Sequence, residues 1–162
     1  MSLVAAPVAS NPAPAGSDVV AGDGWYPDVS IAAFRAAQRM PQAVTDQRCR
    51  EALLTALIWV ADELSAWRAR QSAATLKDVP GPGFGGEPMV LIRWRTAVQA
   101  KAAALLAETH NDIGVSEPGR TRTDTGRSHS EAAAAGAVDL QRVATVAIRG
   151  ILGVRPSRVR LV

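Results

Sequence analysis

From Thr45 to about Gln71, Leu53, Leu54, Leu57, Ile58, Ala61, Leu64 and Trp67 recur at three- and four-residue spacing. That period lays an apolar stripe along one side of a long α-helix, and Thr45 is suited to cap its start. Such a helix is stable in water only when its stripe is covered, so the chain must supply other helices to pack on it. Two further segments meet the need. One starts with Pro88 in its first turn and runs to about His110, with Leu91, Trp94, Val98, Leu105 and Leu106 as core positions. The other is opened by a capping box of Ser128 and Glu131 and turns Val138, Leu140, Val143, Val146, Ala147, Ile151 and Leu152 inward.

A short helix precedes these three. Ser30 caps it, Ile31 and Phe34 share a face, and Pro41 follows Met40 to end it. The expected fold is therefore all-α: an antiparallel helical bundle of one short and three long helices over residues 25–153. Residues 1–24 are rich in Ala, Pro and Gly, lack Lys and Arg, and read as an extended N-terminal arm. Trp25, Tyr26 and Pro27 end the arm as an aromatic anchor. Residues 72–86 and 111–127 read as connecting loops. Beyond Gly153 the chain is expected to leave as a short β-strand-like tail over residues 154–162.

The tail holds Arg155, Ser157, Arg158, Val159, Arg160, Leu161 and Val162, in which basic and apolar residues alternate. Alternation marks an extended strand, and nothing else in the sequence reads clearly as one. A strand without a partner in its own chain offers backbone donors and acceptors to another chain, so the tail is expected to dock outside the molecule.

Composition narrows the function classes. Apolar residues make up 48% of the chain but aromatics only 4%, the excess being mostly alanine. Alanine favours helix and close approach while burying little apolar area, so burial against neighbouring subunits would help such a core. The net charge of +3 is carried almost wholly by arginine, which is mild for a dedicated nucleic-acid binder. The single cysteine, Cys49, forms no intrachain disulfide and reads as a packing residue. No apolar run reaches membrane-spanning length, and Pro7, Pro12 and Pro14 interrupt the N-terminus where a signal peptide would need an apolar core. A soluble protein made in the cytoplasm is expected, with no membrane partner.

Enzymatic readings fail residue by residue. The glycines of residues 81–86 are followed by no Gly-Lys-Ser/Thr and read as a flexible loop, not a phosphate cradle. His110 and His129 belong to no metal-ligand pattern, so no metal or cofactor is expected. Ser128, His129 and Ser130 are adjacent on a helix, where side chains diverge. Asp62 and Glu63 lack an identifiable facing partner, and no nucleophile, base and orienting group come together. The tryptophans at 59, 67 and 94 lie within helical stripes and read as packing residues rather than a stacking surface for nucleic acid.

The order of landmarks resembles a known family. Trp25-Tyr26-Pro27-Asp28 is followed by Phe34-Arg35, and the second helix opens with Thr45, Arg48 and Glu51-Ala52-Leu53. Then come Leu76-Lys77-Asp78-Val79-Pro80, Gly86-Glu87, Arg95 with Ala97-Val98, and the closing Ala147-Ile148-Arg149-Gly150-Ile151-Leu152-Gly153 with its basic tail. Over about residues 24–162 the chain is similar to the GpL-type head completion proteins of tailed bacteriophages with contractile tails. It departs from them at Leu106-Ala107-Glu108-Thr109-His110 and in the mixed-charge loop that follows. The resemblance implies a structural virion protein at the head-tail junction, an adaptor ring of twelve copies below the portal. That ring would stabilise the DNA-filled head, dock on the portal protein through the C-terminal tail, and present a surface to neck or tail-completion proteins. Genomic DNA would pass through the channel without sequence-specific binding. The rival reading is a basic helical DNA-binding packaging accessory protein, which would need Lys and Arg clustered on one helix face. A stopper or tail terminator of the neck would carry more β-structure.

Overall fold

In a computed structural model of the chain, residues 18–115 and 124–154 are described, with side chains at 18–108 and 135–154. The element order is β1 (Val19–Val20), β2 (Val29–Ser30), α1 (Ile31–Gln38), α2 (Asp46–Arg68), a 3-10 turn (Leu76–Asp78), β3 (Gly83–Phe84), β4 (Glu87–Pro88), α3 (Met89–Val115) and α4 (Asp124–Leu152). Helix dominates, as the stripes require.

The two caps read from sequence are in place. Ser30 Oγ accepts from Ala33 N and Thr45 Oγ1 accepts from Arg48 N, each with the extended backbone of a helix N-cap. At the other end of α1, Arg39 takes a left-handed conformation and its N–H returns to the last carbonyls. α4 stops in the same manner. Gly153 has φ +72, and Val154 N–H donates to Arg149 O across the last turn, a Schellman closure.

The long helices pack antiparallel. Arg93 reaches Gly150 while Lys101 reaches Gln141, so residue numbers fall along α4 as they rise along α3. α2 likewise runs antiparallel to α3: Glu51 lies by Leu105, Lys101 is 4.9 Å from the Trp59 ring, and Trp67 lies by Met89. α3 is the central helix, lying along both α4 and α2, whereas α2 and α4 meet only briefly. Its inner surface carries Trp94 and Val98 but also Ala97, Ala100, Ala102, Ala103 and Ala104, all buried. These small side chains let the helix axes approach, at the expense of apolar area per residue.

Three expectations about helical faces and ends are corrected. On α2 the buried line is Cys49, Ala52, Leu53, Ala56, Val60 and Leu64, leaving Leu54 and Ile58 exposed. On α4 the face against α3 is built from Ala137, Ala144, Ala147, Ile148 and Ile151, so Val138, Val143 and Val146 point outward. The alanines, not the valines, set the phase, because close helix packing selects small residues over large ones at the contact. α4 begins at Asp124, so Ser128 and Glu131 lie inside the helix rather than at its cap. The side chains at His110, His129 and these two positions lie outside the described residues, as do residues 1–17, 116–123 and 155–162.

Short strands were also missed. β1 pairs antiparallel with β2, Val19 facing Ser30 and Val20 facing Val29. β3 pairs with β4 through a two-residue turn at Gly85 and Gly86, whose φ values of +60 and +82 suit a hairpin of that length. The glycines of residues 81–86 therefore build a hairpin, because two consecutive positive-φ residues match the natural twist of paired strands.

Candidate functional site

The aromatic anchor packs where α2 ends and α3 begins. Tyr26 is buried and stacks on Trp94 of α3, with ring centroids 5.9 Å apart and 9° between planes. Trp25 meets Tyr26 edge-on at 4.8 Å and Trp67 of α2 at 6.0 Å. Its indole Nε1 donates to Ala73 O at 3.1 Å, and its carbonyl accepts from Leu76 N at 2.9 Å. Over this pair lies the Arg68 guanidinium, 4.8 Å from the Trp25 ring and 5.1 Å from that of Tyr26. Pro27 is half-buried beside them.

The turn that delivers these rings is held by its own backbone. Asp23 Oδ1 accepts from Trp25 N at 3.1 Å and Tyr26 N at 2.9 Å, while Oδ2 takes the Arg68 guanidinium. Burial works to raise the Asp23 carboxyl, but the Tyr26 N–H, the Arg68 side chain and the Trp25 N–H outweigh it and hold the acid below its ordinary range. Burial pushes the Tyr26 phenol up, partly opposed by the Arg68 charge, and its hydroxyl has no hydrogen-bond partner among the described residues. Gly22 is required by close approach, since a Cβ there would lie 2.1 Å from Tyr26 O.

Residues 18–24, read from sequence as the end of the arm, thus pack onto the helices. Val20 is buried, Asp18 O accepts from Ile31 N at 2.7 Å, and Arg50 donates to Val19 O at 3.0 Å. Arg50 and Arg68, near the two ends of α2, are thus both engaged within the chain. Such pairings join segments distant in sequence, so no local spacing reveals them.

At the C-terminal end of α4, close to the anchor's Trp67 and Trp94, Arg93 bonds to Gly150 O, and a Cβ on Gly150 would come 2.9 Å from Arg93 Nε. Beside this contact is a cleft of about 240 Å³ bordered by Trp67, Pro80, Pro82, Met89 and Ile151. The chain leaves α4 next to it at Val154, which is exposed. The tail positions Arg155, Ser157, Arg158, Val159, Arg160, Leu161 and Val162 lie outside the described residues. Among the described residues no cluster of His, Cys, Asp and Glu could hold a metal ion, and no helix is long and apolar enough to cross a membrane.

These features define a helical protein whose notable surfaces are an anchored N-terminal turn, a capped helix end leading to a basic segment, and apolar patches on two outer helix faces. The family model described as phage head completion protein (GPL) matches residues 20–162, and the chain belongs to that family. A head completion/stabilization protein of Escherichia phage P2 is 30% identical over 118 residues, covering 70% of each chain. No solved structure matches. The family match takes in the anchor, both small sheets and the basic tail, apart from the first residue of β1.

Proposed function

We propose that this chain is a structural adaptor of the phage virion, without enzymatic activity, that assembles below the portal and stabilises the DNA-filled head. In this reading it forms a closed ring, dodecameric by the family resemblance, joins the head to neck and tail proteins, and lets DNA through without sequence-specific contacts. The observation that carries it is the family match running unbroken to residue 162, past the point where α4 is capped. A helix that stops at a Schellman turn and releases an alternating basic segment suits docking by strand addition. The DNA-binding alternative is weakened because Arg35, Arg50, Arg68 and Arg93 hold backbone or side-chain partners within the chain instead of forming one basic face.

Deleting residues 157–162 is the direct test. The truncated chain should keep its helical circular dichroism and melting temperature, yet lose binding to the cognate portal ring. It should also fail to rescue phage particles that lack the protein and lose their packaged DNA. Undiminished portal binding would remove the tail from the docking reading, and DNA-retaining particles made without the protein would remove the head-stabilising role itself.

A further inference from the structure

At the end of the molecule where α2 and α4 finish and α3 begins lies the cleft of about 240 Å³, walled by Trp67, Pro80, Pro82, Met89 and Ile151. Among its described lining residues only Gln71 and Arg93 have polar side chains. Each is already engaged on a backbone carbonyl of the chain, Gln71 Nε2 on Trp67 O at 3.1 Å and Arg93 on Gly150 O. Trp67 adds an indole N–H that has no hydrogen-bond partner among the described residues. A wall of aromatic, proline and methionine side chains with one unclaimed donor suits one class of ligand. That class is an extended proline-rich segment, whose rings pack flat on such a wall and whose carbonyls have no partners of their own.

We propose that the cleft seats such a segment and that its occupant is residues 1–17 of the same chain. These residues hold Pro7, Pro12 and Pro14 and carry no charged side chain. Their reach is sufficient. The described chain starts at Asp18, beside Ile31, with Val19 O on Arg50, and Trp67 lies about 25 Å further along α2 at 1.5 Å per residue. Residues 1–17 cover about 50 Å at about 3.1 Å each in an extended proline-rich conformation. The chain runs along α2 toward the cleft, from Val19 at Arg50 to Asp23 at Arg68, so the segment must turn back before Asp18. Gly16 and Ser17 are turn-forming residue types at that place. Charge selects between the two ends of the chain. The C-terminal tail also starts beside the cleft, but it would bring Arg155, Arg158 and Arg160 toward Arg93, whereas the uncharged segment meets no like charge. Tethering favours the chain's own segment over that of a second copy, since its effective concentration at the cleft is on the order of millimolar. The family match begins at residue 20, so the ligand lies outside the part that the family shares, and the contact does not depend on the adaptor role. Seated there, residues 1–17 cover apolar surface at the root of the tail, where Val154 leaves α4.

The test uses the full chain with a benzophenone-bearing residue in place of Val8. Irradiation should join it to peptides that hold Trp67 or Met89. In a mixture of isotope-labelled and unlabelled chains, the cross-links should fall within single chains. Trp67→Phe keeps a ring against Trp25 but removes the indole N–H, and should lower the cross-link yield. Independently, replacing all three prolines (Pro7→Ser, Pro12→Ser and Pro14→Ser together) should raise hydroxyl-radical oxidation of Met89 about twofold or more, because oxidation follows exposure. Helical circular dichroism checks that each variant is folded. Cross-links that map away from the cleft, or Met89 oxidation unchanged in the folded triple variant, would overturn the proposal. Cross-links between chains would give the site to a second copy. Met89 oxidation that rises only when residues 157–162 are deleted would give it to the tail. Either of these results also overturns the assignment to residues 1–17 of the same chain.

Discussion

Asp23 organises the anchor although it lies in a segment with no periodic signal. One carboxylate oxygen receives the Trp25 and Tyr26 N–H groups, and the other meets the Arg68 guanidinium that covers both rings. Its acidity is held below the ordinary value of 3.8, so the folded state binds that proton less readily than the unfolded chain. The resulting stabilisation is complete above 3.8 and is lost as pH falls through the lower folded value. Asp23→Ala should cost about 1 kcal/mol in urea unfolding at neutral pH. The variant should also show a flatter decline of stability below about pH 4 than wild type. Trp25 and Tyr26 are conspicuous in a chain that is 4% aromatic, which makes an anchor legible. Their partners Trp67, Trp94 and Arg68 are not, because sequence separation hides who meets whom.

Arg35 ties three elements together. From α1 it donates to Val44 O and, at 3.2 Å, to Pro41 O; it lies 3.5 Å from the buried Cys49 Sγ and pairs with Asp46 at 3.2 Å. Arg35→Met would keep the apolar stem but leave the loop carbonyls short of donors. The expected loss is about 1–3 kcal/mol, read as a lower urea midpoint at unchanged slope. At this level the sequence is informative where the chemistry is local. Ser30 and Thr45 announce the starts of α1 and α2 because capping involves a side chain and an N–H three residues away. The start of α4 was misplaced because the Ser128 and Glu131 pattern describes a possible cap, whereas the helix continues back to Asp124. The tiny strands escaped for a related reason: a pair of two-residue strands presents no alternation to detect.

The whole molecule depends on close approach around α3, where Ala97, Ala102 and Ala104 are fully buried. Ala102→Leu should force the packed helices apart and lower stability by about 1–3 kcal/mol, measured by thermal or urea unfolding of the folded variant. An interior of this kind buries modest apolar area per residue, which agrees with apolar side chains remaining on the outer faces of α2 and α4. The sequence by itself determined that the chain is mostly helical, where two of the helices begin, and which family it belongs to. Those properties follow from periodicity, capping chemistry and the order of short motifs, all of which are written in neighbouring residues. Only the tertiary structure decided which side of each stripe is core, since Leu53 and Leu54 are equally apolar and just one of them is buried. It also bound residues 18–24 to the helices and gave Arg50, Arg68 and Arg93 their partners. Helical period fixes which residues share a face, but the choice of buried face depends on how closely neighbouring helices can pack, and that is a property of the assembled fold.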